Sequence, residues 1–285
     1  MSVFCRLFGY SKQAYFKQRS HRYREPVVAT GKIREEVLNL RRSMPRLGTR
    51  KLHHVLKADI KMGRDKLFAV LREEGLLVVR KKRFIVTTNS HHWMRKYPNL
   101  VRDMTLTRPE QLWVSDITYI PTADGHSYLH LVTDAYSKRI MGYELSSNME
   151  AATTLKALKM AIGNRIYQEP LIHHSDRGLQ YCSKVYVEEL NRQNILISMT
   201  ENGDPYENAV AERVNGILKS EFGMGEQFCT IAQADKQVRQ SIHIYNILRP
   251  HLSCQMLTPK QMHNQRSIQI KTYKRKDKQH QNAST

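Results

Sequence analysis

The chain has 285 residues, and its 46 lysines and arginines against 26 acidic residues give a formal charge of +20 at pH 7. An excess of this size favours a polyanionic partner, and the 40% content of hydrophobic residues excludes a globally disordered chain. No apolar run approaches the roughly 18 residues that cross a bilayer, and the N-terminus lacks the apolar segment of a signal peptide, so we expect a cytoplasmic protein. The four cysteines are scattered without a CxxC pair, which argues against a zinc site and a disulfide framework.

Residues 1–85 are predicted to form an all-α, basic region. Apolar residues recur at helical spacing in three segments, the last of which follows Gly63. The apolar positions are Ile33, Val37, Leu40, Leu52, Val55, Leu56, Leu67, Val70 and Leu71. Short basic helices joined by tight turns are typical of helix-turn-helix units that bind DNA. A helical bundle whose charges are merely solvated is the alternative.

Eight basic residues of this region are candidates for contact with DNA. Four lie in the predicted helices, and four form the cluster RKKR at the end of the region. Such a cluster can contact successive DNA phosphates without a precise geometry, although a solvated linker has the same composition. The candidates are Arg50, Lys51, Arg64, Lys66, Arg80, Lys81, Lys82 and Arg83.

After a linker at 86–108, residues 109–225 are predicted to form an α/β core. Strands are predicted at 112–120, 127–134, 139–145, 171–174 and 195–199. Helices are predicted at 150–165, 183–193 and 208–222. The order βββαβαβα describes a mixed sheet with helices packed on it. A helical extension is expected at 226–265, and the basic, polar tail at 266–285 is expected to be disordered.

Three carboxylates stand in contexts where a reactive acid would be useful. Asp116 interrupts the β-prone run WVSDITYI, Asp176 ends a strand in HHSDRGLQY, and Glu212 follows after 35 intervening residues on a predicted helix. Acids that converge from a strand, a strand end and a helix can hold two divalent ions for phosphoryl transfer. Each acid has an ordinary alternative, which is a solvent-facing strand residue, a turn residue paired with Arg177, and a surface ion pair, respectively.

The predicted helix carries a lysine two turns beyond its acid. Asn208, Glu212 and Lys219 fall near one helical face, so that a metal ion and a DNA phosphate could lie side by side there. His173 and His174 precede the second acid, and strand alternation turns only one of them towards the site. We expect both histidines to be packing or surface residues, not metal ligands.

Together these motifs resemble the OrfB-type transposases of the bacterial insertion-sequence-three family, whose catalytic core is similar to that of retroviral integrases. The resemblance covers nearly the whole chain. Its N-terminal part is PRLGTRKLHHVLKADIKMGRDKLFAVLREEGL, its core motifs are WVSDITYI, HSDRGLQY and GDPYENAVAERVNGILKSE, and its C-terminal motifs are YNILRPH and LTP.

The resemblance implies an RNase H-like fold and a DDE transposase that cleaves DNA strands and transfers them with the help of metal ions. Asp116, Asp176 and Glu212 would be catalytic and would bind two Mg²⁺ or Mn²⁺ ions, and Lys219 would contact DNA. The implied partners are the terminal inverted repeats of the element, target DNA, further copies of the chain and the product of an upstream reading frame fused to it. The implied location is the nucleoid in the bacterial cytoplasm.

The chain departs from the family pattern at Leu179 and at residues 213–215, which we expect to affect substrate fit and not the chemistry. Two alternative functions stay open. The first is a structure-selective DNA nuclease of the same fold, which would cleave without joining a 3′-hydroxyl end to a target. The second is a non-catalytic DNA-binding regulator derived from a transposase, which would show no cleavage dependent on Mg²⁺ or Mn²⁺.

Overall fold

The computed structural model describes residues 9, 11, 13–16, 26–79, 93–102, 104–123, 125–201 and 208–270. The chain divides into two compact units, Met1–Arg80 and Lys81–Thr285. Among the helices so described, none has the length and apolarity that a membrane crossing requires.

Beyond residue 26, the first unit is helical, as predicted. Its helices are α1 (Pro26–Ser43), α2 (Thr49–Ile60) and α3 (Arg64–Glu73). Helix α1 begins with a proline, whose missing N–H is harmless in a first turn. The turn between α2 and α3 needs Lys61 in the left-handed region, with φ of 44°, and places Gly63 in extended backbone before α3. The apolar positions Leu52, Leu56 and Leu67 are buried, as the helical spacing predicted, and the helix-turn-helix assignment stays a prediction.

The second unit is built on a five-stranded mixed sheet. Its strands are β1 (Leu112–Thr122), β2 (Gly125–Asp134), β3 (Ile140–Ser146), β4 (Ile172–Ser175) and β5 (Leu196–Met199). The strand order is β3-β2-β1-β4-β5, in which β1, β2 and β3 pair antiparallel while β4 runs parallel to both β1 and β5. Long β1 therefore lies at the centre, where both of its neighbours support it.

Helices cover both faces of this sheet. They are α4 (Ala151–Gly163), α5 (Leu179–Cys182), α6 (Lys184–Arg192), α7 (Ala209–Glu221), α8 (Ile231–Ile247) and α9 (Pro259–His263), with a 3₁₀ turn at Leu252–Cys254. The predicted order of elements is thus confirmed, with one additional short helix, α5, before the helix predicted at 183–193, which is α6.

Strand alternation decides which residues of β1 face which helices. Trp113 and Ile117 pack in the larger cluster, with residues of α4 and α6. Leu112 and Val114 pack in a second cluster with Ala211 of α7. Because side chains alternate between the faces of a sheet, the next residue on the α7 face is Asp116.

Helix α4 crosses β3 at very short range. A Cβ atom on Gly142 would lie 2.1 Å from the carbonyl oxygen of Ala157 and 2.6 Å from the backbone nitrogen of Ala161. Only a residue without a side chain fits here, so Gly142 sets how closely α4 approaches the sheet.

Other segments cover both edges of the sheet. Beside β5, the Met199 N–H donates to the Pro98 carbonyl at 3.3 Å, and the Leu100 N–H donates to Ser198 Oγ at 2.9 Å. Beside β3, the Asn246 side chain accepts from the Ile140 N–H and donates to the Ile140 carbonyl, both at 3.0 Å. The predicted linker is therefore, from residue 98, a strap along the sheet.

A buried polar cluster joins the start of the core to α9. His263 Nε2 lies 3.1 Å from Glu110 Oε1, and His263 Nδ1 lies 2.9 Å from Ser137 Oγ. Ser137 Oγ donates to Asp134 Oδ1 at 2.6 Å, and Glu110 accepts from the Tyr167 N–H at 2.9 Å. Since Glu110, Asp134 and His263 are all fully buried, this cluster anchors the C-terminal segment and has no access to a substrate.

A buried ion pair fixes the end of α7. Arg249 donates from Nε and Nη2 to the two carboxylate oxygens of Glu221, each at 2.8 Å. Farther along, Ile268 and Ile270 pack against the core, and residues 271–285 of the predicted tail lie outside the described residues. The domain boundaries predicted from the sequence stay predictions.

Candidate active site

The pairing of β1 with β4 brings the first two predicted acids side by side. Val114 of β1 pairs with His174 of β4 in a parallel register. Two residues after this pair stand Asp116, still within β1, and Asp176, directly after the end of β4. Neighbouring strands lie about 4.8 Å apart, and side chains at matched positions of parallel strands point to the same face. Both carboxylates therefore lie on the face that α7 covers.

Asp116 is half-buried, and both of its carboxylate oxygens accept hydrogen bonds. Oδ1 accepts from the Ile117 N–H at 2.9 Å, and Oδ2 accepts from Asn215 Nδ2 at 2.6 Å. Burial and the charges of Asp176 and Glu212 raise the pKa of Asp116 to about 7, against the opposite effect of the two hydrogen bonds. The three predicted acids thus lie near enough for their charges to repel.

Asp176 follows β4 directly and closes the turn that leads into α5. Its Oδ1 accepts from the Gly178 N–H at 3.0 Å, as expected for an aspartate two residues before a turn glycine. A Cβ on Gly178 would lie 3.0 Å from the same oxygen, so the glycine leaves room for the carboxylate. This turn holds Asp176 at the carboxyl end of its strand, the edge at which α/β sheets bind ligands.

Glu212 lies in the first turn of α7 and is exposed. Partial desolvation of its carboxyl raises the pKa of Glu212. Its charge in turn contributes to the raised pKa of Asp116, so α7 does bring the third acid to the first. Residues 202–207, which precede α7, lie outside the described part of the chain.

Lys219 and Tyr181 border the acids. Lys219 is half-buried two turns beyond Glu212. Burial lowers the pKa of its ammonium group, and the charge of Asp116 offsets only part of this effect. Tyr181 is buried, and its hydroxyl has no hydrogen-bond partner among the described residues. Burial and the charges of Asp176 and Asp116 raise the pKa of this hydroxyl well above its usual value, so the phenol stays neutral beside them.

Sequence reasoning assigned no role in the chemistry to Asn215, although its side chain donates directly to the carboxylate of Asp116. Its position after Glu212 was expected to affect substrate fit alone. A signal was present, because Asn215 stands three residues after Glu212 and seven after Asn208, on one helical face. The spacing does not reveal that this face of the helix contacts Asp116.

His173 and His174 point to opposite faces of β4, and His174 shares the face of Asp176. His173 Nε2 lies 2.7 Å from Ser115 Oγ and 2.9 Å from Tyr186 Oη, and His174 Nδ1 lies 2.8 Å from Ser198 Oγ. Both rings are fully buried, and these hydrogen bonds join them to serine and tyrosine hydroxyls. They are core residues.

The predicted DNA-contacting residues differ in exposure. Arg50, Arg64 and Lys66 are exposed on α2 and α3, and Arg64 also lies 2.9 Å from Asp65. Lys51 is buried against the same helices, with 9% of its surface exposed. The cluster at 80–83 lies outside the described residues.

The acid site fits a divalent cation by its chemistry. Three carboxylates offer the hard oxygen ligands that Mg²⁺ prefers, and the raised pKa of Asp116 reflects buried negative charge that a cation would neutralise. Within the part of the chain that is described, no three His, Cys, Asp or Glu side chains stand together in a ready coordination geometry. The three acids are therefore of the residue type that binds Mg²⁺, and they lie near enough to one another for their charges to interact.

Comparison with known proteins identifies the family. The sequence model described as "Integrase core domain" matches residues 107–205, and a second one of the same description matches 193–259. The chain is 33% identical over 259 residues to the insertion element IS600 uncharacterized 31 kDa protein of Shigella sonnei, covering 90% of this chain and 95% of that protein. It is 34% identical over 226 residues to the transposase InsF for insertion sequence IS3A of Escherichia coli strain K12, covering 78% of each.

Among solved structures, the catalytic core domain of HTLV-2 integrase in complex with magnesium matches with 20% identity and a TM-score of 0.44, over 55% of this chain and 97% of that one. A chain of the simian T-cell lymphotropic virus intasome in complex with PP2A regulatory subunit B56 gamma matches with 19% identity and a TM-score of 0.49, over 80% of this chain and 75% of that one.

The mixed sheet and the matched region make this chain an integrase-core protein of RNase H-like fold, which confirms the predicted fold class. The sequence identity to the relatives named above narrows the assignment from a fold to a family. The chain belongs to the insertion-sequence-three family of transposases, as its motifs predicted.

Proposed function

We propose that this protein cleaves DNA at the ends of an insertion sequence and joins the freed ends to target DNA. The observation that carries the proposal is the strand register that sets Asp116 beside Asp176, supported by Glu212 on α7, whose charge acts on Asp116. When bound by these carboxylates, Mg²⁺ or Mn²⁺, two ions per site, would activate the attacking oxygen and stabilise charge on the departing one.

The chain itself supplies position and charge. The proposed reaction is an in-line displacement at phosphorus by water or by a DNA 3′-hydroxyl, without a covalent enzyme intermediate, so its rate depends on alignment. Asp116 is held by bonds to both oxygens, and Asp176 is held by the Gly178 turn. Lys219 places an ammonium group near Asp116, where it would attract a DNA phosphate.

The acids are tested one at a time. Asp116→Asn, Asp176→Asn and Glu212→Gln keep size and remove charge, and each should nearly abolish strand cleavage and joining because the substituted side chain no longer binds the metal. Glu188→Gln is the matched control, because Glu188 is an exposed carboxylate in a surface pair with Lys184 at 3.7 Å. Wild-type activity in any of the three acid variants would refute the site.

A labelled 3′-hydroxyl end distinguishes the possible reactions. Transfer of label into a longer target strand supports the proposal. Cleavage dependent on Mg²⁺ without transfer supports a structure-selective nuclease instead. Binding without any cleavage supports a DNA-binding regulator derived from a transposase.

We also propose that the helices of the first unit bind the terminal inverted repeats, with further copies of the chain on the same DNA in the bacterial cytoplasm. Exposed Arg50, Arg64 and Lys66 support this role, and buried Lys51 contributes less to it. Alanine at Arg64 or Lys66 should weaken binding and reduce the slope of log affinity against log salt by about 1 for each DNA phosphate that the protein no longer neutralises. Alanine at exposed Lys184 of α6 is the control, and an equal effect there would contradict the assignment.

A further inference from the structure

Two asparagines tie the acid-bearing helix to consecutive residues of β1. Asn215 Nδ2 donates to Asp116 Oδ2 at 2.6 Å, and Asn208 Nδ2 donates to the Ser115 carbonyl at 3.1 Å. The two asparagines are seven residues apart, so they lie on the same helical face, with Glu212 between them. Both side chains are buried, with 8% of Asn208 and 6% of Asn215 exposed.

Each asparagine is buried at a cost. Among the described residues, Oδ1 of Asn208 and Oδ1 of Asn215 are buried without a hydrogen-bond partner. A buried acceptor without a donor is destabilising, and a leucine of similar size would pack there without that penalty. The packing of α7 on the sheet therefore does not explain why asparagines stand at these two positions. The hydrogen bonds that their amide groups donate explain them.

The two donors have different targets. Asn208 binds a main-chain carbonyl, which any residue of β1 would offer. Asn215 binds the carboxylate of Asp116, whose other oxygen is held by the Ile117 N–H. With both oxygens held, the carboxylate has one orientation, and each oxygen keeps a further lone pair that a cation could use.

The same bond also fixes Glu212. Because Glu212 and Asn215 are three residues apart on one rigid helix, an Asn215 amide seated on Asp116 sets the separation between the first and third acids. A slip of α7 by one residue would break this bond and turn Glu212 away by about 100°.

We propose that Asn215 is a positioning residue that orients the Asp116 carboxylate and sets the spacing of Glu212, so that the acids bind a divalent cation together. The inference rests on the proposed function. Residues that hold a metal-binding carboxylate in place change metal affinity about 10–100-fold when they are replaced.

The test uses the full-length chain and Mn²⁺ alone as the probe. Mn²⁺ affinity is measured by calorimetry for the wild type, Asn215→Leu and Asn246→Leu. Asn246 is the matched control, because it is also an asparagine that joins a helix to a strand, but through the Ile140 backbone. We expect about tenfold weaker Mn²⁺ binding for Asn215→Leu and a lower thermal midpoint with unchanged Mn²⁺ binding for Asn246→Leu.

Cleavage supplies a second readout. For Asn215→Leu, the Mn²⁺ concentration that gives half-maximal cleavage should rise about tenfold, and excess Mn²⁺ should restore part of the rate. Asn215→Ser, which keeps a small polar residue but cannot reach Asp116, should behave in the same way and replaces the leucine variant if that one does not fold. Mn²⁺ affinity within about twofold of the wild type in either variant, or an equal loss in Asn246→Leu, would overturn the inference.

Asp116→Asn separates the two proposals. If it keeps wild-type Mn²⁺ affinity and cleavage, the proposed function fails and the inference fails with it. If it loses both while Asn215→Leu resembles the wild type, only the inference about Asn215 fails.

Discussion

Replacing Arg249 by methionine should destabilise the second unit strongly. The Arg249 side chain is 1% exposed and makes two parallel bonds of 2.8 Å to Glu221, whose side chain is 15% exposed. Methionine keeps much of the volume but leaves a carboxylate in a poorly hydrated place without its guanidinium. Breaking a buried pair in this way costs about 3–5 kcal/mol, and we expect about 3 kcal/mol because Glu221 keeps some contact with water.

The assay is urea denaturation of the full-length chain followed by tryptophan fluorescence. Trp113 is buried in the core of the second unit, whereas Trp93 is 90% exposed, so a spectral shift on unfolding reports Trp113. With a slope of about 2 kcal/mol per molar urea, a loss of about 3 kcal/mol lowers the midpoint by about 1.5 M.

Two further variants test the physical reason. Arg239→Met removes an arginine from an exposed pair with Asp235, also at 2.8 Å, and should lower the free energy of unfolding by less than about 1 kcal/mol. Glu221→Gln combined with Arg249→Met should be more stable than Arg249→Met alone, because the uncompensated charge is gone. An Arg249→Met protein within about 1 kcal/mol of the wild type would refute the claim that this pair anchors α7.

Three other predictions can be measured by the same denaturation assay. Gly142→Ala should lower the free energy of unfolding by about 1–3 kcal/mol or more, because the new Cβ would lie 2.1 Å from the α4 backbone. Gly163→Ala, whose Cβ would have nothing within 4 Å, should change it little, and equal losses in the two variants would contradict this account. Burial lowers the pKa of His263, but its carboxylate partners outweigh burial and raise the pKa overall. The stability that charged His263 contributes is complete below pH of about 6.5 and is lost as the pH rises through the folded-state pKa. His263→Gln should therefore flatten the decline in stability above pH of about 6.5. Burial lowers the pKa of His130 to about 4, so stability should fall between pH of about 6.5 and about 4 by at most about 1.4 kcal/mol per pH unit, and His130→Gln should reduce that slope.

The sequence predicted much of the second unit because its signals are local. The β-prone runs predicted all five strands, and helical spacing predicted α4, α6 and α7 within a few residues. The three acids could be chosen because motifs fix their order and spacing. Their convergence depends on the parallel register of β1 and β4, which no spacing specifies.

The features that sequence reasoning missed depend on tertiary pairing. Glu110 and His263 meet across 153 positions, and Asn215 meets Asp116 across 99. Lys51 was predicted to contact DNA from its charge, yet it lies next to apolar Leu52 on the face that α2 buries. Composition shows that such residues exist, but only the fold selects their partners.

The strap along β5 has a practical consequence for work with the isolated core. The family sequence model begins at residue 107, but the Pro98 carbonyl accepts from the Met199 N–H on the edge of β5, and the Leu100 N–H donates to the Ser198 side chain. A fragment cut at residue 107 would leave Met199 and its neighbours open to pairing with another molecule, since an uncovered edge strand promotes aggregation. A core that begins near residue 93 keeps its own edge closed and should stay monodisperse.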